Sequence, residues 1–479
     1  MNTGNSIFKN TTYLIGGQFV SRIIRTILII IIARQYGPED YGQYSFAFAL
    51  VISFILFADL GLINFITREV ARKKEDFSSF ITNTFILKSF YSVFTALTIL
   101  GICFISQKSD QVVIIVSIIL LASIIDSFIL VLKAVLQAFE KMEYEAISGI
   151  LKSLIITVFA VTLIYFELKL QIVVLAFLIG QVFEALYLIK IYKAKFGKIF
   201  SRPTLSHLPS LVKKALPFGW QQIFATFYTY ADRSLISFIK GDEAVGYYDA
   251  SYKTIVIATF IMMAFGKAVY PTFSRLYETS LISFNKLLKS IIKISVWVGI
   301  GFGILIFMNA KSIVLFLFGN QYLSACNSMK ILAWAGLFLI INLVLGPIIR
   351  AMNRERFTAK VAVTAFFVNI LANLFLIKRI GIEGAAISTL LTEFLVFVLY
   401  IKLLHQEFRT LISSLDFVKL SFCTSVFAFS SFIFKDISFG ITIILLPGIF
   451  FVSLILTKYI SATERKMFWE WLVPAADEY

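Results

Sequence analysis

Apolar segments long enough to cross a membrane recur along almost the whole chain. We identify fourteen of them, and each holds roughly the 20 residues that a helix needs to cross the hydrocarbon core of a bilayer. They lie at about 10–34, 41–67, 80–106, 111–137, 146–166, 170–192, 211–239, 244–273, 286–309, 323–350, 357–378, 383–404, 416–434 and 437–457. Helices satisfy their own backbone hydrogen bonds within the segment. The sequence therefore predicts an all-α integral membrane protein with about fourteen transmembrane helices.

The distribution of basic residues predicts the orientation of these helices. The formal net charge is +16, but 24 of the 44 Lys and Arg residues fall in one alternate set of connections and only 8 in the other. Bases accumulate on the cytoplasmic side of membrane proteins, so both termini are predicted to be cytoplasmic. The N-terminal residues do not show the pattern of a cleaved signal peptide. Because topology accounts for most of the charge, we expect no nucleic-acid partner.

A short polar stretch occurs twice. "YGPEDYGQY" (36–44) and "KGDEAVGYY" (240–248) match at an offset of 204 residues, which pairs Gly37 with Gly241 and Gly42 with Gly246. Six predicted helices separate the two copies, and an even number indicates parallel repeats. We therefore predict two six-helix lobes related by a pseudo-twofold axis, followed by a terminal helix pair. The predicted boundaries are 1–192 (first lobe), 193–210 (cytoplasmic linker), 211–404 (second lobe) and 405–479 (terminal pair and tail).

The first copy has the composition of a tight turn between two helices. Gly37 can adopt the left-handed conformation that ends a helix, and Pro38 suits the first turn of the next one. The acids that follow oppose the helix dipole. The same features at Gly241 predict a second turn of this kind.

Several classes of enzyme are excluded. The two histidines lie in cytoplasmic connections, and the sequence contains no phosphate-binding loop, no HExxH motif and no Cys/His metal pattern. No predicted connection on the outer side is long enough to carry a catalytic domain. We therefore expect no enzymatic activity, no cofactor and no metal.

Four stretches together resemble a known family. They are "ARQYGPEDYGQYSFAFAL" (33–50), "DLGLINFITREVAR" (59–72), "GDEAVGYYDASYK" (241–253) and "NILANLFLIKRIGIEGAAISTLLTE" (369–393). In this order they are similar to the signatures of polysaccharide-biosynthesis flippases of the multidrug/oligosaccharidyl-lipid/polysaccharide exporter superfamily, over most of residues 10–400. The resemblance implies a fold like that of the multidrug (MATE) transporters.

The resemblance also implies a function. Wzx-type O-antigen and capsule flippases move polyprenyl-pyrophosphate-linked oligosaccharides across the bacterial inner membrane by alternating access. Expected partners are this lipid-linked oligosaccharide, membrane lipids, and a polysaccharide polymerase with its chain-length regulator. A drug/cation antiporter and a lipid II flippase of the same superfamily remain alternatives, and a channel or scaffold is a more distant one.

Basic residues inside the predicted spans indicate where such a substrate binds. The spans contain twelve Lys and Arg residues but six acids, and each charge at the centre of a lone helix costs about 2.5–3.5 kcal/mol. Gln18, Arg22 and Arg25 share one face of the first span, where the two arginines can fork a pyrophosphate. The alternative is pairing of these arginines with Asp59 or Asp126.

The second lobe carries hydroxyl groups at the positions equivalent to the two arginines. At the offset of 204, Arg22 and Arg25 align with Thr226 and Thr229, so we expect the first lobe to bind pyrophosphate and the second to accommodate sugar. Further candidate substrate-binding residues are Arg233, Tyr252 and Lys253.

Acids within the spans have two interpretations. A carboxylate buried without a partner favours the protonated form and can bind a coupling proton, whereas one beside a base is structural. The candidates for ion coupling are Asp59, Glu184, Asp232 and Glu393.

Overall fold

All the regular structure of the chain is helical over the residues that the structure describes. The computed structural model describes residues 3–72, 77–198, 200–203, 208–407, 414–434, 439–457 and 459. These residues contain no β-strand, so the all-α prediction is confirmed. Linker residues 199 and 204–207 and the tail from 460 onward lie outside the described residues.

Thirteen α-helices occur in the described part of the chain. They are α1 (Thr3–Ile55), α2 (Leu62–Arg72), α3 (Phe77–Ile105), α4 (Asp110–Ala138), α5 (Met142–Tyr165), α6 (Leu170–Phe196), α7 (Leu208–Lys240), α8 (Asp242–Thr279), α9 (Leu281–Leu317), α10 (Cys326–Ala351), α11 (Glu355–Glu407), α12 (Ser414–Ile433) and α13 (Phe439–Leu456).

The two predicted glycine turns are present. Gly37 breaks α1 with φ 76°, and Pro38 follows it. Gly241 has φ 90°, and α8 begins directly after it with Asp242 and Glu243 in its first turn. A third break, at Ile380 and Gly381, divides α11 between the predicted segments 357–378 and 383–404. A positive φ is accessible to glycine without a steric penalty, so these breaks are encoded locally.

The second apolar segment is shorter than predicted. The prediction of one span over 41–67 is wrong at its end, because a 3-10 turn at Leu56–Ala58 and positive φ values at Leu60 (44°) and Gly61 (83°) separate it from α2. A buried ion pair holds this break. The Lys88 Nζ lies 2.6 Å from the Asp59 carboxylate, and the Lys88 side chain is 0% exposed.

Helix α2 is amphipathic. Its apolar side chains Leu62, Phe65, Ile66 and Val70 are buried, whereas Arg68 is exposed. Its buried face packs against α4 and α7. This short helix is therefore a packing element at the end of the second predicted span rather than part of it.

Eight helices in the described residues are long and apolar enough to cross a membrane, or nine if the two parts of α8 on either side of its 48° bend form one span. In that count α1 and α11 each enter once although each is divided by a break. The helices confirm a multi-pass membrane protein, and the number of fourteen spans stays a prediction.

The chain forms two compact units, residues 1–246 and 247–479. The first unit contains α1 to α7 and the first residues of α8, and in it α1 packs on α4, α5 and α7. In the second unit α9 packs on α10, α12 and α13. The division falls within α8 rather than in the linker, and the predicted domain boundaries stay predictions.

The described linker residues lie against α3. The Ser201 backbone N–H donates to Thr82 Oγ1 at 3.0 Å, and the Ser78 hydroxyl donates to the Lys198 carbonyl at 3.2 Å. We call this end of the first unit the linker end, and the end that carries Gly37 and Gly241 the turn end.

Candidate functional site

The predicted polar stripe on α1 is exposed. Gln18, Arg22 and Arg25 are all exposed, whereas Gly17 and Ser21 on the neighbouring face are buried. Gly17 lies so close to α5 that an added Cβ would be 2.7 Å from the Ala146 Cβ. Since adjacent residues of a helix are about 100° apart, this packing turns the stripe away from α5 and leaves the guanidinium groups accessible.

Helix α7 brings aromatic and basic groups to the same region of the first unit. Arg22 is within electrostatic reach of Arg25 and of Tyr230. The Arg233 guanidinium lies 5.5 Å from the centre of the Tyr230 ring and donates to the Thr229 carbonyl at 2.9 Å. A cation over an aromatic face is stabilised by the ring quadrupole. Tyr230 thus lies within electrostatic reach of Arg22 and beside Arg233.

The two threonines of α7 differ in what they contribute. The Thr229 hydroxyl donates to the Ala225 carbonyl of its own helix at 2.9 Å, and Thr226 is half-buried one turn earlier. Their role as hydroxyl counterparts of the arginines stays a prediction.

Asp232, adjacent to Arg233, is buried with 2% of its surface exposed, and its role in ion coupling also stays a prediction.

A buried ionic network lies behind the arginines, on α4, α5 and α6. Glu184 receives the Lys133 Nζ at 2.8 Å, the Lys152 Nζ at 2.6 Å and the Ser148 hydroxyl at 3.0 Å. Lys152 also contacts Asp126 at 3.0 Å and the Gln181 side-chain oxygen at 3.3 Å. Arg25 is within electrostatic reach of both Asp126 and Lys152.

This network gives Glu184 the partners that the structural interpretation of the buried acids requires. Two lysines and a hydroxyl contact its carboxylate, and its role in ion coupling stays a prediction. Opposite charges at this range favour the ionised form. Asp59 likewise has the buried Lys88 as its partner, as the structural alternative predicted.

The remaining candidate residues lie in the second unit. Lys253 is 4.0 Å from Asp249 on the same helix, and the Tyr252 ring stacks near that of Tyr248, with centroids 6.1 Å apart. Glu393 is buried, and its carboxylate accepts the Asn342 side-chain amide at 2.8 Å. The substrate and ion-coupling roles of these residues stay predictions.

The turn end of the first unit is closely packed. An added Cβ on Gly246 would lie 1.9 Å from the Pro38 carbonyl oxygen, and one on Gly42 would lie 1.7 Å from that of Asp242. Beside this crossing, the Lys108 Nζ contacts the Asp242 carboxylate at 2.8 Å and lies 4.3 Å from the centre of the Phe46 ring. Glycine at both positions is therefore required for the helices to approach this closely.

The sequence did not predict the ion pairs that join α4, α5 and α6, and it did not indicate Tyr230 as part of the site. Helical spacing contains part of the missing signal: Asp126 and Lys133 are seven residues apart, Ser148 and Lys152 four, and Gln181 and Glu184 three. Each of these pairs shares one helix face. Which faces meet is decided by packing, and no pattern within a single helix contains that information.

The family model described as "Polysaccharide biosynthesis protein" matches residues 7–277, more than half of the chain. The chain belongs to this family. A capsular polysaccharide biosynthesis protein, CapF of Staphylococcus aureus, is 21% identical over 82% of this chain and 98% of its own length. A putative O-antigen transporter of Shigella flexneri is 24% identical over 80% and 94% respectively.

Solved structures agree at the level of the fold. The lipid II flippase MurJ in an inward closed conformation superposes with a TM-score of 0.75 over 94% of this chain and 98% of that one, at 16% identity. The family match and these relatives confirm the resemblance to polysaccharide flippases, and the relatives and structural neighbours are transporters and flippases rather than enzymes.

Proposed function

We propose that this protein translocates a polyprenyl-pyrophosphate-linked oligosaccharide repeat unit from the cytoplasmic to the outer leaflet by alternating access through a cationic central cavity. The observation that carries the proposal is the exposed arginine stripe of α1, in which Arg22 lies within electrostatic reach of Arg25 and of Tyr230. O-antigen, capsule or exopolysaccharide assembly would use the product.

Moving a pyrophosphate across the membrane requires cationic hydrogen-bond donors along its path. A pyrophosphate must cross about 30 Å of hydrocarbon, where an unpaired charge or polar group is costly. Guanidinium groups provide rigid, forked donors that match phosphate oxygens. Tyr230 and the half-buried Thr226 add groups that suit a sugar, because an aromatic face and a hydroxyl can both contact a saccharide ring.

Relatives support this class of substrate over the alternatives. The printed names of two relatives refer to capsular polysaccharide and to O-antigen, whereas the lipid II flippase is similar in fold at 16% identity. We therefore place a glycan repeat unit first, lipid II second and a drug or cation last.

The proposed architecture combines the predicted spans with the repeat. We infer fourteen spans arranged as two six-helix lobes (1–192 and 211–404), the cytoplasmic linker 193–210 and the terminal pair of 405–479. The positive-φ glycines at 37 and 241 support the repeat, because each ends a helix at the turn end. In this arrangement the turn end faces outward.

We further propose the cytoplasmic membrane of a bacterium as the location, with both termini cytoplasmic and a polymerase with its chain-length regulator as partners. The unequal distribution of bases supports the orientation.

Coupling to a proton, a sodium ion or the membrane potential would drive transport, with Asp59, Glu184, Asp232 and Glu393 as candidate carboxylates. Undiminished transport in de-energised proteoliposomes would exclude such coupling.

Complementation tests the substrate class. The gene is expressed in strains that lack an O-antigen flippase, a capsule flippase or the lipid II flippase, and drug resistance is measured in parallel. The proposal predicts restored surface glycan without rescue of the lipid II strain and without drug efflux. Rescue of the lipid II strain alone, or drug efflux alone, would replace the proposal with the corresponding alternative.

A further inference from the structure

Asp126 of α4 lies within electrostatic reach of Arg25 on α1 and of the buried lysines of α4 and α5. The Asp126 side chain is 34% exposed while one of its oxygens accepts the Lys152 Nζ at 3.0 Å. Glu184, the other acid of the ionic network, is 0% exposed and enclosed by both lysines. Asp126 is thus the more exposed of these two acids.

Asp126 affects the electrostatic potential at Arg25 without pairing with its guanidinium N–H groups. Arg25 is exposed and within electrostatic reach of Asp126, and α1 packs on α4. In the described part of the chain, no ion pair within 4.0 Å joins the two side chains. A carboxylate at this range lowers the positive potential at the guanidinium, and the guanidinium N–H groups remain available to an anion.

The lysines of the network hold Asp126 in place. Lys133 and Lys152 are paired with Asp126 and Glu184, so these four charges sum to zero. Arg22 and Arg25 are further positive charges on α1. Loss of the Asp126 charge would raise the positive potential at Arg25, which lies within its electrostatic reach.

We propose that Asp126 weakens the binding of pyrophosphate by Arg22 and Arg25 and thereby permits its release, a role that rests on the proposed function. A transporter must bind its cargo strongly enough to load it and weakly enough to release it. Two arginines in a site of low dielectric bind a pyrophosphate strongly, because charge-assisted forked hydrogen bonds add to the Coulomb attraction. The resident carboxylate competes with the cargo for the same positive potential.

The direct test is Asp126→Asn in the full-length protein. Binding of inorganic pyrophosphate to the purified protein is measured by calorimetry, and translocation of a lipid-linked oligosaccharide is measured in proteoliposomes. Removal of one charge at this range predicts about tenfold tighter binding, together with a lower KM and a lower maximal rate because release slows. Asp126→Glu keeps the charge and should behave like the unmodified protein.

Two further variants keep the test informative. Asp110→Asn makes the same substitution at an exposed position of the same helix, about 24 Å away along the helix axis, and should change neither quantity. Gln181→Glu adds a carboxylate beside Lys152, whose Nζ lies 3.3 Å from the Gln181 oxygen, and should weaken pyrophosphate binding. If Asp126→Asn does not fold, the effect of Gln181→Glu on pyrophosphate binding decides whether the inference stands.

The outcomes separate the inference from the proposed function. Pyrophosphate binding that depends on Arg25 but is unchanged or weakened by Asp126→Asn, or unchanged or strengthened by Gln181→Glu, overturns the inference and leaves the proposed function standing. Pyrophosphate binding that is absent, or that survives Arg22→Glu and Arg25→Glu, overturns both.

Discussion

Basic side chains inside the first unit differ in how their charge is compensated. Lys88, Lys133 and Lys152 each have a carboxylate within 3.0 Å, whereas Arg25 has none in the described residues. The charges of these lysines are compensated inside the helix bundle. We propose that the exposed arginines of α1 are the charges that meet the substrate.

Replacement of Lys88 tests its structural role. Lys88→Met leaves Asp59 without its base, and breaking a buried pair costs about 3–5 kcal/mol of the free energy of unfolding. Lys88→Met with Asp59→Asn should recover a large part of this loss, since no charge is then left unpaired. Unfolding in detergent measures both, with the exposed Lys193→Met as the control. A single variant as stable as the control would contradict the role.

Residue-level features were predictable where they are local. The positive φ of Gly37 and Gly241 follows from glycine in a turn composition, and the stripe of Gln18, Arg22 and Arg25 follows from helical spacing. The partners of Glu184 were not predictable, because Lys133 and Lys152 come from two other helices and the contact depends on packing.

At the scale of elements, we expect α2 to move during transport. It follows a break with two positive φ values, and Leu62 and Phe65 pack in one cluster with Leu211 and Ala215 of α7. An added Cβ on Gly219 would lie 2.7 Å from the Leu60 backbone, so α7 also approaches the break closely. Under the proposed alternating access, we expect this contact at the linker end to open.

Cross-linking tests whether α2 must leave α7. Cysteines at Leu62 and Ala215, joined by a short reducible cross-linker, should stop transport, and reduction should restore it. Cysteines at Ile129 and Leu188 join α4 and α6 inside one hydrophobic cluster and should leave transport unchanged when cross-linked. Full transport with α2 linked to α7 would show that this contact stays closed throughout the cycle.

Element existence was predicted better than element ends. Over the described residues, thirteen of the fourteen apolar segments fall mainly on one helix or on one part of a divided helix, because hydrophobic length is a strong signal. The exception is 41–67, which runs across the break into α2. The break before α2 was missed because "ADLGL" is a short polar interruption in an apolar run, and its conformation depends on Lys88 of another helix.

At the scale of the whole molecule, the proposed mechanism predicts that the glycine crossing at the turn end separates when the protein opens outward. Gly246→Leu should prevent the two helices from packing together at this crossing, because even the leucine Cβ would lie 1.9 Å from the Pro38 carbonyl oxygen. A cysteine at Gln43 should then be labelled faster by a membrane-impermeant thiol reagent, and transport should stop. Gly101→Leu, at a helical glycine with open space around it, is the matched control.

Equal labelling in Gly246→Leu and Gly101→Leu would contradict closure at this crossing. The repeat that identified Gly42 and Gly246 was visible in the sequence, but the fact that the two glycines meet was not. Contact between segments 204 residues apart depends on how the helices pack.

The central claim is that the arginines of α1 carry a lipid-linked pyrophosphate across the membrane. The most direct measurement is translocation of a fluorescent polyprenyl-pyrophosphate-linked oligosaccharide by the purified protein in liposomes. The unmodified protein and Lys190→Glu, a charge reversal at an exposed residue of α6, should translocate at similar rates, and Arg22→Glu and Arg25→Glu should reduce the rate at least tenfold while inserting normally. Equal rates for all four proteins would contradict the claim.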